Sequence, residues 1–291
     1  MKRIAILGCE NSHADTFLNF IYNTDKYRDV EVIGVYSNEP AAAKALNEKY
    51  GVAVMENYTD ALGKIDGLVI TARHGDLHYE YAKPYLESGI PMFIDKPLTI
   101  KASDAVAFMN DLKSRGIRVT GGSSLKHDIG VKTLKAEREN LVDGETLGGF
   151  VRAPLNADNI YGGFYFYAPH LVEVVSEIFG RYPVSVEAKR VGKTTNVQFN
   201  YEGYTVHGTF VDDNYVYYAC RFADKSVKGM NLESTEEHNW FESEFREFYA
   251  LLNGAPSPVS YEDIFSSVFV MNAIDRSLAN GGEESVKYFE A

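Results

Sequence analysis

Through the first 120 positions, short apolar runs alternate with stretches in which apolar residues recur at helical spacing. Residues 3–7 are apolar after Arg3 and stop at Gly8, and residues 14–22 then read as a helix. A second run at 30–36 precedes an Ala-rich helix at 40–50. The pattern continues with a short strand at 51–55, another at 65–71, a helix at 77–88, a fifth strand at 91–94, a helix at 103–115 and a sixth strand at 117–120. Near-continuous apolar strands separated by helices predict βαβ units, hence a doubly wound parallel sheet covered on both faces. After Gly121-Gly122 the period changes. Residues 184–190, 196–201 and 204–210 alternate polar and apolar, with turn residues at Glu202-Gly203 and Asp212-Asp213-Asn214. That is the signature of an open antiparallel sheet with one wet face. Helices are expected at 239–252 and 261–278, stopped by Gly254 and Gly281. The reading is two domains, an α/β unit at 1–121 and an α+β unit at 122–291.

Composition narrows the possible partners. Hydrophobic residues make up 45% and charged residues 24%, which supports a packed globular chain. Acidic residues outnumber basic ones by 41 to 29, for a net charge of −12. Nucleic acids and anionic membranes call for clustered Lys and Arg, so neither is expected as a partner. No apolar run has the length of a membrane span. Cys9 and Cys220 stand far apart, with no zinc spacing and no disulfide framework, which fits a reducing cytoplasm.

The first strand runs into Gly8-Cys9-Glu10-Asn11-Ser12-His13 and then a helix. A Rossmann dinucleotide site reads Gly-x-Gly-x-x-Gly here, so only Gly8 matches. Asn11, Ser12 and His13 offer donors at a helix start, whereas the Glu10 carboxylate repels a pyrophosphate unless it points away. The second strand ends in Tyr36-Ser37-Asn38. Ser37 stands where an acid usually binds ribose, and it leaves NAD and NADP equally open. His74 and His78 have an i, i+4 metal spacing, but Gly75 at the strand-to-helix loop argues against a shared helical face, so no metal site is expected.

The fifth strand ends in Asp95-Lys96-Pro97, at the sheet edge where such folds bind ligands. With His78-Tyr-Glu-Tyr-Ala upstream and the ending Phe245-x-x-Phe-Tyr-Ala-Leu-Leu-Asn-Gly254, this resembles the Gfo/Idh/MocA family of NAD(P)-dependent sugar oxidoreductases, over essentially the whole chain. The family's Glu-Lys-Pro has Asp95 in place of the Glu. The resemblance implies that Lys96 lies near the nicotinamide and the substrate hydroxyl. It implies that His170, in Phe166-Tyr167-Ala168-Pro169-His170, is the proton-transfer residue, although Phe166 replaces the family's Asp and Ala168 its Gly. Tyr167 or Glu173 is then the substitute partner. Thr71 and Arg73, with Gly8, Ser37, His78 and Asp95, fall on the cofactor side, and Lys126 and Glu173 on the substrate side. The expected activity is hydride transfer between NAD or NADP and a secondary alcohol of a sugar or polyol, in a homo-oligomer formed through the second sheet. A lyase or glycosidase using NAD transiently, and a cofactor-free sugar sensor, are the alternatives.

Overall fold

The computed structural model describes residues 1–142 and 144–290, which form two compact units. Unit one comprises residues 1–99, 103–122 and 241–264; unit two comprises 100–102, 123–240 and 265–291.

Unit one holds a parallel sheet of β1 (Lys2–Leu7), β2 (Val30–Tyr36), β3 (Gly67–Ile70), β4 (Met92–Asp95) and β5 (Val119–Gly122), in the order β2-β1-β3-β4-β5. Its helices are α1 (Ser12–Asn23), α2 (Pro40–Tyr50), α3 (Asp76–Ala82) and α4 (Ala102–Ser114). Pro40 opens α2, and Gly51 closes it in the left-handed conformation at φ 72°. The expected helix at 77–88 is split instead. Pro84 lacks the N–H that an α-helical bond needs, and a 3-10 turn, Lys83–Ser88, follows α3. The expected strand at 51–55 is reduced to a single bridge between Val54 and Val35, because the chain turns away at Glu56 and Asn57.

The same unit takes in a helix from the far end of the sequence. In unit two the chain adds α5 (Ile129–Glu139), β6 (Thr146–Leu155) and α6 (Phe164–Phe179), then β7 (Ser185–Val191), β8 (Thr194–Asn200), β9 (Thr205–Asp212), β10 (Tyr218–Ala223) and β11 (Ser226–Asn231). Next comes α7 (Trp240–Leu252), whose residues from Phe241 onward cluster with unit one. Its apolar stripe sends Phe245 and Phe248 into the core around Phe17 and Phe93, with Phe17 to Phe245 and Phe17 to Phe93 centroids 5.0 and 5.1 Å apart. Burying one such ring is worth about 1.5–3 kcal/mol. Reading 122–291 as one continuous domain therefore misplaces this helix. Periodicity shows that a helix has an apolar face but not which core receives it.

The second sheet runs β11-β10-β6-β9-β8-β7-β12, closing with α8 (Tyr261–Asn280) and β12 (Glu283–Ser285) in sequence. All its ladders are antiparallel except β6 with β9, which run parallel. Buried residues of α6 cover one face. Gly149 lies where a Cβ would come within 2.0 Å of the Phe179 ring, so the strand needs glycine for the helix to approach. No helix among the described residues is long and apolar enough to cross a membrane.

Candidate active site

The turn after β1 is held by three backbone-directed contacts. Gly8 has φ 75°, and a Cβ there would sit 2.3 Å from the Ala72 backbone. Thr71 Oγ1 donates to the Gly8 carbonyl (3.1 Å), and His78 Nε2 donates to the Ala72 carbonyl (2.8 Å). The first glycine thus serves close packing of the turn on the end of β3. Gly8→Ala should lose about 3–5 kcal/mol from combined backbone strain and overpacking, read as a lower urea midpoint at unchanged m-value.

Beyond the turn, α1 begins at Ser12 with Asn11 as its N-cap, yet Asn11 makes no cap hydrogen bond. Its Nδ2 donates to Asp95 Oδ2 instead (2.7 Å). The positive end of a 12-residue helix therefore keeps backbone N–H groups for an anion, a feature that fits a dinucleotide pyrophosphate. Glu10 fits as well, because its carboxylate is turned sideways: Oε2 accepts from Ser37 Oγ (2.6 Å) and Oε1 from the Arg73 backbone N–H (2.9 Å).

His13 occupies the third glycine position with its ring buried, edge-on to Phe17 and Phe241. Nδ1 lies 3.2 Å from Asp95 Oδ2 and Nε2 lies 3.4 Å from Glu244 Oε2 on α7. Burial, then the Lys96 ammonium, pushes the imidazole down to about 3, and burial pushes the Asp95 carboxyl up to about 6. Both shifts are those of buried groups that disfavour charge, and the ring of His13 is held neutral. Donor atoms of His13, Asp95 and Glu244 lie within 4.8 Å of one another, a spacing open to a metal ion. The two carboxylates approach opposite ring nitrogens, however, and Lys96 adds a positive charge beside them. The geometry is that of a bridging imidazole. Lys96 itself follows directly on β4, its backbone N–H held by Asp95 Oδ1 (2.6 Å), and the Lys96-Pro97 peptide is cis.

A second cluster lies within unit two, where His170 is on α6. Its Nδ1 meets Ser123 Oγ at 2.7 Å, and the rings of Tyr167 and Tyr217 stand 5.9 and 6.0 Å from it. Ser123 opens the 3-10 turn Ser124–His127 as its N-cap. Glu173, one helical turn beyond His170, accepts from the Ser123 backbone N–H (2.8 Å) and lies 3.9 Å from Lys126. The donor in this contact is set by the tautomer: the Ser123 hydroxyl accepts from a protonated Nδ1, as in the charged imidazole, and then Nε2 is the ring's second nitrogen for proton exchange.

The expected cofactor residues are distributed unevenly. Gly8, Asn11, Ser12, Ser37 and Arg73 gather at the turn, with Ser12 Oγ on Asn11 Oδ1 (3.3 Å). Thr71, His78 and Asp95 are fully buried and bonded internally, and His13 is turned into the core. These four hold the loop rather than presenting groups to a ligand. Burial lowers the pKa of His78, as a core imidazole requires. Ser123 and Glu244 were missed. Glu244 left a signal, since it shares the i, i+3, i+4, i+7 stripe of Phe241, Phe245 and Phe248, where an apolar residue is expected. Ser123 left none beyond its place after a strand.

Comparisons with known proteins bear on the family and the fold. Residues 2–123 match the Gfo/Idh/MocA oxidoreductase family, NAD-binding Rossmann fold. The uncharacterized oxidoreductase YhhX of Escherichia coli (strain K12) is 28% identical over 126 residues, 39% of this chain, and the match spans 35% of that protein's length. The fold is that of a putative myo-inositol dehydrogenase from Sinorhizobium meliloti 1021, with TM-score 0.82, 18% identity, and 99% and 100% of the two chains covered. It is equally that of scyllo-inositol dehydrogenase from Lactobacillus casei, solved with NAD(H) and scyllo-inositol, at TM-score 0.83, 15% identity, and 98% and 99% coverage.

Proposed function

We propose, from the premise that the chain belongs through residues 2–123 to the Gfo/Idh/MocA oxidoreductase family, that it transfers hydride between a nicotinamide dinucleotide and a secondary alcohol of a sugar or cyclic polyol. The observation that carries the reading is the open N-terminus of α1 in the same unit as the strand-end Lys96. The dinucleotide, held at Gly8, Asn11 and Ser12, supplies the redox chemistry. Lys96 orients the substrate oxygen and stabilises negative charge developing on it. His170 takes or returns the hydroxyl proton at Nε2, with Nδ1 held by Ser123. Tyr167 and Tyr217 flank that imidazole, and an aromatic ring is suited to packing on the C–H surface of a polyol. Inositol is the substrate of relatives with this fold, which makes cyclic polyols the first compounds to assay. Lys126 and Glu173 belong to the substrate side of this reading, and self-association through the second sheet goes with it.

The test is a fluorescence titration of the purified protein with NADH and NADPH, followed by absorbance at 340 nm with inositols and sugars. Saturable binding below millimolar concentration and substrate-dependent NADH formation are expected. Absence of binding to both dinucleotides would favour a second reading, a polyol-binding protein without cofactor. The filling of two glycine positions by Glu10 and His13 is the observation on that side.

A further inference from the structure

A Rossmann domain normally reads the adenosine ribose with an Asp or Glu at the end of its second strand. Here that position is Ser37, which carries no charge. Its surroundings are nonetheless anionic. The Ser37 hydroxyl donates to Glu10 Oε2 at 2.6 Å, and its oxygen accepts the Glu39 backbone N–H at 2.9 Å. The one donor of Ser37 is thus committed to Glu10. The other Glu10 oxygen accepts the Arg73 N–H at 2.9 Å, so the carboxylate is pinned between the ends of β2 and β3 and is only 7% exposed.

We propose that Glu10, delivered from the turn after β1, is the specificity-determining carboxylate that β2 lacks, and that it makes the protein select NAD over NADP. The inference rests on the functional reading above and adds which cofactor is taken and which residue decides it. A carboxylate has about four acceptor positions, and two are used by Ser37 and Arg73, which leaves acceptors for ribose hydroxyls. A 2′-phosphate brought to the end of β2 meets like charge at Glu10 and finds the Ser37 hydroxyl already donated. The same side chain that breaks the glycine pattern therefore replaces the acid missing one strand away. This also accounts for a carboxylate being tolerated in a pyrophosphate turn, since its charge is drawn sideways toward β2 and β3.

Fluorescence titration of the wild-type protein with NADH and with NADPH tests this without any substrate. NADH should bind more tightly by about tenfold or more, the ratio expected from one unfavourable charge contact. Glu10→Gln keeps the shape, with its amide oxygen accepting the Arg73 N–H and its amide nitrogen donating to Ser37 Oγ; it removes the charge and releases the Ser37 hydroxyl proton, and it should bring the ratio to about threefold or less, chiefly by strengthening NADPH. The double variant Glu10→Gln/Ser37→Asp, which moves the carboxylate to β2, should restore the preference for NADH. Comparable binding of both dinucleotides by the wild type overturns the inference and leaves the functional reading standing. So does an unchanged ratio in Glu10→Gln. Binding of neither dinucleotide overturns both. If Glu10→Gln does not fold, the wild-type ratio alone decides.

Discussion

Lys96→Met is expected to lower turnover by about 10²-fold or more while the protein still folds and binds NADH. Removing a single electrostatic contact made to a reacting oxygen commonly has an effect of that order. Methionine keeps much of the lysine stem, so the packing after β4 changes little. The charge balance beneath it does change. The Lys96 ammonium favours the ionised form of Asp95, whose carboxyl burial already pushes up to about 6. Without that ammonium, burial pushes the carboxyl further toward its neutral form, so no uncompensated charge is left beside His13. Folding should therefore survive near pH 7, and the loss should appear in kcat, with the dissociation constant for NADH within about threefold of wild type. Wild-type turnover in the variant would make Lys96 a structural partner of Asp95.

His170→Ala should cost about 10²–10⁴-fold in rate, the usual worth of a positioned acid or base. The sign of its pH effect follows from the chemistry. Only the neutral imidazole accepts a proton from the alcohol, so oxidation rises with pH through the His170 titration, and reduction falls over the same range. The variant should lose that limb in both directions. Ser123→Ala provides the finer measurement, because the hydroxyl touches Nδ1 at 2.7 Å rather than the substrate. It should shift the midpoint of the limb and lower kcat less than His170→Ala does. A pH profile unchanged in His170→Ala would transfer the proton role to Tyr167, whose ring lies beside it.

Most of unit one was legible in the sequence, because a buried parallel strand must be apolar throughout and its helices need one apolar stripe. Both signals are local. The helix at 40–50 was bounded by Pro40 and Gly51, and Asp95-Lys96-Pro97 fell at a strand end as expected. Local pattern also marked His170 and Glu173 as neighbours on one helical turn. It could not assign partners, since hydrogen bonding between distant segments leaves no periodicity. Glu173 reaches the backbone of Ser123, 50 positions away, and His170 takes the hydroxyl of that same residue.

The turn after β1 divides the two kinds of information most sharply. The sequence alone determined that a strand, a glycine and a helix meet at residues 4–14, and that Glu10 and His13 replace glycines. What those replacements do depends on the neighbours that folding brings to them. A side chain's direction is set by what surrounds it, and here the neighbours come from four separated stretches of chain. Ser37 and Arg73 turn Glu10 aside, while Asp95 and Glu244 enclose His13. Glu244 arrives on a helix 231 positions after His13, which packs there because the parallel sheet leaves an apolar face around Phe17 and Phe93 to cover. Burial makes unpaired polar groups expensive, so each such group must find its partner wherever the fold brings one. Sequence fixes which residues need partners; the packing of the two ends of the chain selects them.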